Sequence, residues 1–377
     1  MNLKSLLLSS DEKTVRVLRR VLSDLEIEVE HCGGPDAAVR RITRQRYEAI
    51  IVDASNHEDA ASVIRAIKAA PVNKRALAIV LVENNVGLKG GFEMGAHFVL
   101  HKPLAVERAK ASFRAVRALM KSERRLQLRV PVDLPITCIG NSRYPARTID
   151  LCEGGMAIKF TGRKARENSL RFALELPGVE RGVYEKLEIP GELAWEGDES
   201  RVGVRFKDVT ESQRNALRKW LAAHLPEQEP DDPPVVCQLK DLSAGACYLT
   251  TSSPFPKSSR VILSVPAPSA PAGEAQIRAT GVVRVTHPEF GMGIEFLRTT
   301  AEHKQHAHRL VESLRAARDS AQLQVEPDGL DPAPDDKPTT SKSTDDSLVH
   351  LLHEQAQVSV EVFLEQMEQT HEPQESR

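Results

Sequence analysis

One stretch of this chain is written twice, and that duplication limits its fold more than any other feature. Asp-Leu-Cys-Glu-Gly-Gly-Met-Ala-Ile at Asp150 returns about ninety residues later as Asp-Leu-Ser-Ala-Gly-Ala-Cys-Tyr-Leu at Asp241. Other landmarks keep the spacing. Gly191 and Gly281 open strand-like runs, Gly203 to Phe206 and Gly293 to Phe296 close them, and an amphipathic helix follows each, over Glu211 to Leu225 and Ala301 to Ala316. Short alternating strands, turn signals and one terminal helix, all duplicated, predict two small β-barrels each capped by its helix. The second copy lacks a counterpart of the strand-like run Val132 to Ile139, which leaves an edge that something must cover.

Before the repeat the pattern is different. Ser5 to Leu8, Ile27 to Val29, Ala49 to Val52, Leu77 to Val82 and Phe98 to Leu100 are short apolar runs separated by helix-length segments such as Val15, Leu18, Val21, Leu22 and Leu25. Such alternation predicts a doubly wound parallel sheet, with chemistry at the carboxyl ends of its strands. Asp53 and Lys102 stand at two such ends. The chain of 377 residues is therefore expected to divide into 1–120, 121–228, 229–320 and a tail, 321–377. Its fold class is α/β plus all-β.

A net charge of −2 provides no global positive field for nucleic acid or anionic membrane, so anion recognition must be local. Five cysteines without CxxC or CxxH spacing argue against a disulfide framework or a zinc site, and fit a reducing cytoplasm. Neither a signal peptide nor a span-length apolar run is apparent, so no membrane insertion is expected.

The local anion site has clear candidates. Arg125 and Arg129 lie just before Val-Pro-Val-Asp-Leu-Pro, about twenty residues ahead of Asp150, Cys152 and Gly155. Together they resemble the RxxxR and D/NxSxxG signature of PilZ domains, over roughly Ser122 to Arg318. That resemblance implies binding of cyclic di-GMP, with arginine forks on phosphate and on the guanine edge and a carboxylate accepting from guanine N1 and N2. It also implies a role for Arg124, because an arginine there accompanies a stacked ligand pair in the family. Cys152 replaces the preferred serine, at an expected cost of about tenfold in affinity. Gly154 and Gly155 are expected to allow a tight turn. A plain Asp-initiated turn explains Asp150 and the glycines equally well by themselves. In the second copy, the positions matching Arg125 and Arg129 are Ala216 and Trp220, so that copy is read as a degenerate PilZ-like domain that packs on the first or binds another protein.

The first 120 residues resemble the receiver domain of response regulators, which implies Asp53 as phosphoacceptor and Lys102 as its partner. Ser9 and Ser10 stand where the family has its metal-binding acidic pair, with Asp11 one position late, so no metal is expected. Asp53 either accepts phosphate, with Asp11 swinging in, or merely pairs with Lys102 in a pseudo-receiver used for docking or dimerisation. Gln322 to Ser347 is rich in Pro, Asp, Ser and Thr and is expected to be disordered, and the apolar spacing over Leu348 to Met367 predicts a short amphipathic helix that engages a partner, folds back, or stays isolated and weakly populated.

No catalytic triad, phosphate loop or metal spacing is present, so an enzyme is not expected. Two readings remain. One is a bacterial, cytoplasmic cyclic di-GMP effector in signal transduction, acting on a protein partner, with a homodimer as one possible assembly. The other is a scaffold of degenerate modules that binds proteins but no nucleotide.

Overall fold

The computed structural model describes residues 3–83, 87–177, 184–198, 200–225, 230–266, 276–317, 321–331, 346–354 and 360–369. The chain forms two compact units. One comprises Met1–Glu123, Asp231–Arg298 and His303–Arg377; the other comprises Arg124–Pro230 and Thr299–Glu302.

The N-terminal alternation runs β1 (Leu3–Leu8), α1 (Glu12–Asp24), β2 (Ile27–Cys32), α2 (Pro35–Arg44), β3 (Ala49–Asp53), α3 (His57–Ala69), β4 (Leu77–Val82), α4 (Gly87–Glu93), β5 (Phe98–His101) and α5 (Val106–Gln127). Its parallel sheet has the order β2-β1-β3-β4-β5. Alternate strand residues face opposite layers: Leu7, Ile51, Ile79 and Leu81 pack with Val15, Leu18, Phe113 and Val116. Leu6, Ile50, Val52 and Val80 pack with Ile42, Val63 and Ile64. Burial on both faces is why these strands read as unbroken apolar runs. The module has the receiver-like fold expected from the sequence.

Within Arg124–Pro230, β6 (Val130–Pro131), β7 (Pro135–Ile139), β8 (Arg143–Cys152), β9 (Gly155–Phe160), β10 (Ser169–Pro177), β11 (Tyr184–Glu196) and β12 (Arg201–Phe206) precede α6 (Glu211–His224). Six of the strands close as β7-β8-β9-β12-β11-β10, and β6 pairs beside them on β8. The Thr210–Gln213 capping box starts α6, whose Leu217, Trp220 and Leu221 plug a core of Met156, Ile158, Phe172 and Ile189.

The second barrel consists of β13 (Val235–Leu242), β14 (Ala246–Thr250), β15 (Ser259–Pro266), β16 (Gln276–His287) and β17 (Gly291–Phe296), followed by α7 (Ala301–Ala317) and β18 (Gln322–Leu330). It closes as β13-β14-β17-β16-β15-β18. β18 lies antiparallel between β13 and β15, the place β7 holds between β8 and β10 in the first barrel. The open edge expected from the missing first strand is therefore filled from the other end of the repeat.

This corrects the expected disorder for Gln322–Leu330. Leu323 and Val325 alternate with polar neighbours and enter the core, while two waiting edges satisfy the backbone. Residues 332–345 lie outside those described. The expected tail helix is present as α8 (Ser347–Glu354) and α9 (Val360–Gln369).

The second barrel joins the receiver-like module in one unit. Ala115 and Ala118 of α5 enter its core. Asp232 takes ion pairs from Arg117 and, at 3.0 Å, from Lys121. Buried Glu123 holds Arg75 at 2.7 and 2.9 Å and also accepts the Leu330 N–H.

Candidate functional site

The last turn of α5 carries Arg124 and Arg125, where cations complement the helix dipole. The Leu128 N–H closes this turn on the Arg124 and Arg125 carbonyls at 3.1 and 3.2 Å. Then β6 pairs with β8, Val130 opposite Leu151 and Pro131 opposite Asp150. That pairing delivers Arg129 to Asp150, with Nη1 to Oδ1 at 2.5 Å. Asp150 follows a bulge, where the register shifts after Thr148, and the same Oδ1 accepts the Ala157 N–H at 3.0 Å.

Cys152 is buried, and its sulfur faces the N–H groups of Gly154 and Gly155. Burial pushes its pKa up, against the pull of Arg129 and those N–H groups, so the group is a thiol and not a thiolate. The second copy shows what the position does: Ser243 Oγ accepts from Gly245 N–H at 3.2 Å and Ala246 N–H at 3.0 Å. The residue holds the turn together. Gly155 is needed for close approach, not for a special dihedral, because a Cβ there would lie 2.1 Å from the Val204 carbonyl oxygen.

Glu153 was not anticipated. Its side chain is only 2 % exposed, with Arg218 Nε of α6 at 2.5 Å and Arg125 Nε at 3.6 Å. A glutamate at a hairpin turn ordinarily faces water. The one trace of this role in the sequence is an arginine on α6 that directly follows buried Leu217 and lies about one turn before Leu221.

Strand register adds a surface that sequence spacing could not reveal. Asp150, Ala157, Gly203 and Trp195 lie side by side across β8, β9, β12 and β11. Met156, Ile158, Val202 and Val204 face the core, so Ala157 and Gly203 face outward. They form a floor of small residues between the Asp150 carboxylate and the Trp195 indole, which is 48 % exposed and lies over Gly203. Anionic, cationic and aromatic groups thus border one flat patch. It can bind a planar, hydrogen-bonding, phosphorylated ligand by stacking, by charge and by acceptance.

The receiver-like module brings Asp53 and Lys102 together at 2.9 Å, and Ser9 and Ser55 also donate to Asp53, at 2.7 and 2.8 Å. Burial would raise the Asp53 pKa, but these hydrogen bonds outweigh it and hold the carboxyl below its ordinary range. Asp11 is committed elsewhere: it caps α1 through the Lys13 N–H at 3.0 Å and accepts from Thr14 Oγ1 at 2.6 Å. The matching positions of the second copy, Ala216 and Trp220, are buried in α6.

Comparison with known proteins bears on both halves. A family model for the PilZ domain matches residues 123–223 and again 226–313. The receiver domain of a sensor histidine kinase from Pseudomonas aeruginosa is 24% identical, covers 32% of this chain and 99% of its own, and has a TM-score of 0.29. A putative response regulator from Chloroflexus aurantiacus is 21% identical, with 31% and 99% covered and a TM-score of 0.29. For a chemotaxis response regulator of Vibrio cholerae the values are 19%, 31%, 99% and 0.29. No curated protein matches the chain.

Proposed function

Because this chain belongs to the PilZ domain family, we propose that it is a non-enzymatic signalling effector whose first barrel binds cyclic di-GMP. The observation that carries the reading is the Arg129–Asp150 pair, set by β6–β8 pairing at the rim of the Ala157–Gly203 floor.

Arg129 and Arg125 are already seated on Asp150 and Glu153. Binding therefore works by exchange: phosphate takes the guanidinium groups, and the released Asp150 carboxylate accepts from guanine N1 and N2. Arg124 supplies a further cation for a second ligand molecule. Trp195 offers a face on which a base stacks. Gly155 keeps the turn close to β12, and Cys152 holds it. Moving the arm off its carboxylates is the signal, passed on as a change in domain arrangement or in affinity for a protein partner. In the receiver-like module, the Asp53–Lys102 pair serves as a structural lock and not as a phosphoacceptor.

The test is isothermal titration of cyclic di-GMP into the intact chain and into an Arg125→Ala, Arg129→Ala variant, with GTP as control. Binding by the intact chain that disappears in the variant supports the reading. No binding by the intact chain, or equal binding by both, overturns it in favour of a protein-binding scaffold.

A further inference from the structure

The two barrels carry equivalent rows of outward-facing residues. Where the first has Asp150, Ala157, Gly203 and Trp195, the second has Asp241, Tyr248, Gly293 and Val285, paired in the same register. In the second barrel this row is covered. Leu348, Leu351 and Leu352 of α8 and Phe363 and Met367 of α9 form one buried cluster with Ala246, Tyr248 and Val285. The Phe363 and Tyr248 rings stand 5.2 Å apart. Leu352 lies so close over Gly293 that a Cβ there would meet its Cδ2 at 2.1 Å.

The polar contacts are as specific as the apolar ones. Asp346 Oδ2 accepts the N–H of Gly245, in the turn equivalent to Glu153–Gly154, at 2.7 Å, while its Oδ1 accepts the Val349 N–H at 3.2 Å and caps α8. His353 reaches Glu295 at 3.2 Å. A carboxylate on the turn, an aliphatic side chain over the glycine and an aromatic on the former floor together make a fitted ligand out of polypeptide.

We propose that the second barrel has become a peptide-binding module: its equivalent of the first barrel's candidate ligand face is a docking site for amphipathic helix with an acidic N-cap, and Asp346, α8 and α9 of this chain are its resident ligand. Four substitutions account for the change of ligand class. Tyr248 in place of Ala157 and Val285 in place of the exposed Trp195 turn a floor of small residues beside an indole into an apolar seat, and Ala216 and Trp220, in the places of Arg125 and Arg129, provide no cationic arm. The inference uses only the equivalence of the repeats and the contacts of the tail, and stands whether or not the first barrel binds nucleotide.

The experiment uses the full chain with a protease site introduced between residues 332 and 345, which leaves β18 in place. After cleavage the released segment is expected to co-elute with the body on gel filtration and to exchange with a fluorescent synthetic peptide of residues 346–369. Leu352→Asp in the peptide is expected to weaken binding by at least about 100-fold. Gly293→Ala in the body, at a position without left-handed φ, is expected to weaken the unmodified peptide as well. Separation of the segment from a body that stays folded overturns the proposal, as does equal retention of the Leu352→Asp peptide. Cyclic di-GMP is then titrated into the body freed of its segment. Unchanged stoichiometry supports a dedicated peptide site, and an added equivalent overturns it, making the tail a lid on a second nucleotide site.

Discussion

The two barrels share a strand register, a turn and a row of outward positions, yet one row is bordered by arginines and an exposed indole and the other is sealed by aliphatic and aromatic side chains. The framework is thus independent of its cargo. Asp241 and Ser243 preserve the turn without counterparts of Arg125 and Arg129, so Asp150 and Cys152 alone would be poor evidence of a ligand. What distinguishes a site from a turn is the second element brought to it: β6 with Arg129 in one copy, Asp346 and α8 in the other.

The largest expected effect breaks the comparison at its turn. Gly155→Ala places a Cβ against the Val204 carbonyl oxygen, whereas the second barrel already carries Ala246 at the equivalent position. The substitution is expected to destabilise the first barrel by about 3 kcal/mol, read as a lower denaturant midpoint for a probe in that barrel. Next, Arg129→Ala removes a charge-assisted contact and is expected to weaken cyclic di-GMP binding by about 10- to 100-fold in titration calorimetry, with the fold itself retained.

The third prediction concerns acid. Burial would raise the Glu295 pKa, but His353 and Arg284 more than offset this and hold it at about 2. A carboxyl depressed in the folded state contributes stability that is present above its ordinary value near 4.5 and is lost as pH falls toward 2. Retention of the tail should therefore decline through that window, and Glu295→Gln should flatten the decline. The smallest effect is expected from Cys152→Ser. A hydroxyl is a better turn acceptor, as Ser243 shows, so thermal stability should rise slightly and ligand affinity change by less than about tenfold.

Much of this was legible in the sequence where one physical requirement dominated. The five strands of the receiver-like module could be read because burial on both faces demands continuous apolar runs, and the barrels because their turns recur. β18 was hidden because only Leu323 and Val325 mark it, within a composition that otherwise favours solvent. Its stability comes from two distant strand edges, which no local pattern records. Glu153 was hidden because a turn glutamate is exposed by default, and Trp195 because only register places it beside Gly203 and Ala157. Asp11 shows the opposite case: its carboxylate suggested a displaced metal ligand, but capping α1 fully occupies it.

The position of β18 also sets a timetable for synthesis. The first barrel holds all its strands once Phe206 has been made, but the second has to wait through α7 until Leu330 emerges. During that interval its β13 and β15 edges are unpaired on the nascent chain, and the receiver-like module too lacks the one core residue, Leu330, that β18 brings to it. A fragment cut where the family match stops, at residue 313, would hold the barrel permanently at that unfinished stage.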